Sequence, residues 1–172
     1  MFNSDPDDNS SFHEDMMRII DRLPTPEEFR RVQHLILQRP CEPPTSDNQL
    51  ADVIDACPHL ESIVLSGVPD TSDRTIVLLA EKAINLHGVN LTGCVQVTDV
   101  GILELATKSP PLQWIRLNGV TGITDPSVSA IAKTCSRLIE LELCDLPLLT
   151  PLSVRDIWSF SRSDLSEYDV SS

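Results

Sequence analysis

The chain has 172 residues, enough for one domain with a substantial core, and 41% of them are apolar but only 4% aromatic. Twenty-six acidic against 13 basic side chains give a formal net charge of −13, which argues against nucleic acid or an anionic membrane as partner, since both are polyanions. No apolar run approaches the ~20 residues that cross a bilayer, and five cysteines, an odd number with no paired framework, point to a reducing cytoplasmic or nuclear setting.

Residues 1–31 read as an acidic, largely disordered segment with short helices. Its first part, Met1–Asp15, has too little to bury and lacks the composition of a secretory or mitochondrial leader. Met16–Leu23 is expected to be a short helix with Met17, Ile20 and Leu23 on one side, and Thr25-Pro26-Glu27-Glu28 is a helix-start text. Val32, Leu35 and Leu37 then read as a strand. The proline-rich stretch Arg39–Ser46 reads as a loop, and Leu50, Val53, Ile54 and Cys57 as one face of a helix ending at Pro58.

From Leu60 onward the text repeats. Leu60, Leu86, Leu112 and Leu138 are spaced by 26 residues. In the same phase run Ile63, Val89, Ile115 and Leu141, then Leu65, Leu91, Leu117 and Leu143, and the turn positions Val68, Cys94, Val120 and Leu146. Gly67, Gly93 and Gly119 mark the strand exits. Ser72, Thr98, Thr124 and Thr150 stand where a helix N-cap is needed, and Asp73, Asp99 and Asp125 follow, where a negative charge suits the helix dipole. Helical positions keep the register: Ile76, Ile102, Val128 and Val154; Leu79, Leu105, Ile131 and Ile157; and the small Ala80, Ala106 and Ala132, with Trp158 in the last unit.

A repeat of this length and strand text specifies an α/β leucine-rich-repeat horseshoe with parallel strands on its concave face and helices outside. The domain is expected over 32–172, in units near 32–59, 60–85, 86–111, 112–137 and 138–164, with a terminal strand at 165–170. The closing Asp-Val-Ser-Ser is too short to cover a last layer, so the chain reads as a piece of a longer repeat protein.

Strand alternation turns every second residue toward the concave face. These are Ser62, Val64 and Ser66; Gly88, Asn90 and Thr92; Trp114, Arg116 and Asn118; and Glu140, Glu142 and Cys144. Asn90, Thr92, Trp114, Arg116, Asn118, Glu140 and Glu142 form the candidate partner-binding set, because a Trp beside an Arg on a polar face has the composition of a binding hot spot. Arg116, one strand from Glu142, is also placed for a lateral ion pair, and Trp114 could instead pack on flanking loops. No cation cluster able to hold a phosphorylated peptide stands on these strands.

Catalytic, cofactor and metal texts are missing: there is no glycine-rich phosphate loop, no H-E-x-x-H and no G-x-S-x-G. His13, His34, His59 and His87 are scattered. Cys57-Pro58-His59 would be half of a zinc site without a second half, so Cys57 reads as a buried helix-end cysteine and Cys94 as a small buried apolar residue.

The units GVNLTGCVQVTDVGILELA, IRLNGVTGITDPSVSAIAKTCSRL and SVRDIWSFS resemble the cysteine-containing leucine-rich repeats of F-box proteins, with the family text L-x-x-L-x-L-x-x-C-x-x-I-T-D. Ser153–Trp158 is especially similar to fungal F-box/leucine-rich-repeat proteins. The resemblance covers roughly Val32 to Val170. It implies a substrate receptor of an SCF ubiquitin ligase, which is no enzyme itself. An F-box would dock it on the Skp adaptor, and the horseshoe would hold a protein for ubiquitination and degradation. The residues before Val32 are too few for an F-box, so adaptor docking is expected only through a parent protein. The alternative is an F-box-lacking repeat scaffold or cell-cycle regulator that binds a protein without ligase attachment.

Overall fold

The computed structural model describes residues 18–19, 30–37, 46–108 and 111–161. In chain order these form β1 (Arg18–Ile19), β2 (His34–Ile36), α1 (Asp47–Ala56), β3 (Ser62–Val64) and α2 (Asp73–Lys82). There follow β4 (Gly88–Asn90), α3 (Asp99–Lys108), β5 (Trp114–Arg116), α4 (Asp125–Thr134), β6 (Glu140–Glu142) and α5 (Pro151–Ser161). All six strands join one parallel sheet in sequence order, and each helix packs on the next.

Register follows the 26-residue phase. Ile63 pairs with Val89, Val89 with Ile115, and Ile115 with Leu141. The inward residues Leu35, Ile63, Leu65, Val89, Leu91, Ile115 and Leu117 are buried in one core with Ile76, Leu79, Ile102, Leu105 and Ile131 of the helices. One sheet face is therefore covered by helices, and the other stays open. Each unit contributes one three-residue strand and one ten- or eleven-residue helix, which cannot bury each other alone, so successive units share their core.

The N-terminal reading needs correction. Arg18 and Ile19 are not helical: they pair in parallel with β2, Arg18 opposite Leu35 and Ile19 opposite Ile36. Without β1 the outer edge of β2 would present unpaired N–H and C=O groups, and β-branched isoleucine favours the extended chain over the helix. The Thr25–Glu28 helix start, the 39–45 loop, the 165–170 strand and the side chain of Trp158 lie outside the described residues.

The repeated Ser/Thr-Asp pairs have a second role besides capping. Asp73 accepts from the Thr98 amide (2.8 Å), the Thr98 hydroxyl (2.6 Å) and the Gly101 amide (3.1 Å) of the following unit. Asp99 does the same with Thr124 and Ser127, Asp125 with Thr150, and Asp47 with Ser72 and Thr75. Each aspartate thus ties its helix start to the next, and this ladder supplies partners for the buried hydroxyls of Thr75 and Ser127. Ser129 continues the tie forward in donating to Asp156.

Capping itself holds at Ser72, Thr98 and Thr150, whose hydroxyls accept from the amides of Arg74, Val100 and Leu152. It fails at Thr124. The amide it would cap, two residues on, belongs to Pro126, which has no N–H. Ala132 is half-buried where Ala80 and Ala106 are buried.

Three features distinguish the last unit. Leu138, Leu141, Leu143 and Leu146 are only partly buried, whereas Leu112, Ile115, Leu117 and Val120 one unit earlier are fully covered. Among the described residues β6 has a neighbour on one side alone. Asp145 stands at the strand exit that Gly67, Gly93 and Gly119 occupy in earlier units, and it adopts the same left-handed backbone, φ 57°.

Candidate functional site on the open face of the sheet

The strand register sets the open-face residues in rows. His34, Ser62, Gly88, Trp114 and Glu140 form one row; Ile36, Val64, Asn90, Arg116 and Glu142 form the next. The N-terminal strands thus bring apolar and neutral groups to this face, and β5 and β6 bring its aromatic and ionic ones.

Trp114 is half-buried, and its indole lies across Gly88 of the adjacent strand. A Cβ built on Gly88 would come within 1.8 Å of Trp114 Cε2, so the ring occupies the space any side chain there would need. Glycine inside a strand marks such a close approach. The Arg116 guanidinium sits over the indole, 5.8 Å from the ring centroid, in cation–π range. Trp114 therefore packs on the sheet face itself rather than on flanking loops.

Arg116 is held in turn by two carboxylates. Its Nη2 is 2.8 Å from Glu140 Oε1, and its Nε is 2.8 Å from the same oxygen and 3.1 Å from Glu142 Oε1. The Glu140 hydrogen bond, and after it the charges of Glu140 and Glu142, outweigh desolvation and raise the Arg116 pKa above its ordinary value. Asn118 donates to Glu142 Oε2 at 2.6 Å and accepts from the Cys144 amide at 2.8 Å. Trp114, Arg116, Asn118, Glu140 and Glu142 thus form one connected network. Asn90 and Thr92 stand beside it on β4 and its exit, where Asn90 Oδ1 accepts from the Thr92 amide at 2.9 Å. The lateral pair expected with Glu142 is present, and Glu140 adds a second.

Strand alternation places Gly88 on this face but does not reveal its contact with the indole, and sequence reasoning missed two further residues. His34, whose Nδ1 lies 2.6 Å from Ser62 Oγ, and Ile36 extend the same face one strand earlier. Alternation from Leu35 and Leu37 could have found both.

Among the described residues no group of three His, Cys, Asp or Glu side chains is placed to hold a metal ion. Burial pushes the Cys57 and Cys94 thiols up to about 11, and Cys94 donates to the Leu65 carbonyl at 3.1 Å, as a packing residue would. No described helix is long and apolar enough to cross a membrane. No protein-family model matches the chain, and a search of curated proteins found no match.

Proposed function

We propose that the chain is a leucine-rich-repeat module that acts by binding a protein on its open, concave sheet face, without a catalytic residue of its own. The 26-residue period carried through a parallel sheet alternating with helices supports the repeat class. The observation that carries the binding reading is Trp114, a half-exposed indole seated on Gly88, braced by Arg116 and flanked by the polar side chains of β5 and β6. A large aromatic held rigidly among satisfied polar groups loses little entropy on binding, as a hot-spot anchor requires.

The resemblance to F-box/leucine-rich-repeat proteins extends this reading to substrate recognition for SCF-dependent ubiquitination in the cytoplasm or nucleus, with adaptor docking through a parent F-box. A scaffold without ligase attachment is the second reading. Turnover of the captured partner in cells depleted of the Skp adaptor separates the two. Slower turnover on depletion supports the receptor, and unchanged turnover supports the scaffold.

A further inference from the structure

We propose that the occupant of this face is a cationic protein segment, with a Lys or Arg stem laid along Trp114 and its head group on Glu140 and Glu142. The inference rests on the docking reading above and specifies the partner's chemistry.

Three observations carry it. First, the network is over-supplied with negative charge: Glu140 and Glu142 share the single guanidinium of Arg116. Glu142 has both oxygens engaged, by Arg116 and Asn118, whereas Glu140 meets the network through Oε1 alone among the described residues. Second, Arg116 over the indole shows that the Trp114 ring already accepts a cation at 5.8 Å. Trp114 and Glu140 are register partners on neighbouring strands, about 4.8 Å apart, a step that one Lys or Arg side chain spans. Third, the β6 unit adds no cation between Leu138 and Leu148 but adds the exposed carboxylate of Asp145 where earlier units have glycine. An anionic or phosphorylated segment would find the Arg116 guanidinium neutralised and two carboxylates beside it. Charge complementarity selects a basic one.

Fluorescence anisotropy tests this on the full chain with three labelled nine-residue peptides that alternate serine with lysine, glutamine or glutamate. The lysine peptide is expected to bind saturably and the glutamate peptide not at all. Glu140→Gln with Glu142→Gln is expected to weaken the lysine peptide at least about fivefold, as is Trp114→Ala. Neutralising two exposed helix acids, Glu81→Gln with Glu104→Gln, is expected to change it less than about twofold. Glu140→Lys, a change at an exposed position, is expected to shift preference toward the glutamate peptide. Equal losses from the helix pair, or equal binding of lysine and glutamate peptides, would overturn the proposal in favour of diffuse attraction. If capture of a protein partner depends on Trp114 but not on Glu140 and Glu142, the docking face stands and the cationic partner falls. If it depends on neither, both fall.

Discussion

Trp114 owes its position to a neighbour without a side chain. A Cβ at position 88 would lie 1.8 Å from the indole, so Gly88→Ala must turn the ring off β4. That variant is expected to red-shift the Trp114 emission and weaken partner capture while the far-ultraviolet dichroism stays native. Asp145 is the converse case, a side chain where the backbone favours none. At φ 57° a non-glycine residue is strained, so Asp145→Gly is expected to raise stability by about 1 kcal/mol in urea denaturation. The outward identities of Gly88 and Trp114 were legible from strand alternation. The ring-on-glycine contact was not, because it depends on the registration of two strands, and the left-handed Asp145 was hidden by its departure from the glycine pattern.

At the scale of elements, the Asp ladder joins what capping alone would leave separate. Burial raises the Asp99 carboxyl, but donation from Ser127 and Thr124 outweighs it and holds the group below its ordinary value. Hydrogen bonds from Thr150 hold Asp125 low as well. A carboxyl depressed on folding stabilises fully above its unfolded value of about 3.9 and loses that contribution as pH falls through the lower folded value. Thermal midpoints are therefore expected to be insensitive to these two groups from about pH 5 to 8 and to drop in stronger acid, below about pH 4. Asp99→Asn, which sets an amide against the Thr124 and Ser127 donors, is expected to cost about 1–2 kcal/mol at pH 7 and to flatten that acid limb. The sequence showed the aspartates as dipole partners of their own helices. Their reach into the next unit needs the stacking distance, which no single unit contains. Pro126 also removes the Thr124 cap for a reason the sequence did contain, since a proline two residues on offers no N–H.

Across the whole molecule, the 26-residue text made β3 to β6, their helices and nearly all of the core legible, since every unit solves the same burial problem. β1 was not, because two residues carry no period and Arg18–Ile19 becomes strand only by pairing with β2. Stability in such a stack is local to neighbouring layers. Leu91→Ala in the fully covered β4 layer is expected to cost about 3 kcal/mol, and Leu143→Ala in the half-covered last layer less than half of that, both read by denaturant titration. The candidate network was legible as a set of face residues, though not as a connected one: Asn118, Glu142, Arg116, Glu140 and Trp114 are joined by side-chain reach across β5 and β6.

The most direct test of that face as the binding site is quantitative affinity capture from native extract by the wild-type chain and by the Trp114→Ala, Arg116→Ala variant, matched for melting temperature. A specific protein partner retained by the wild type is expected to be lost by the variant. Equal retention of that partner by both chains would rule this face out and move the site to the loops or the helical side.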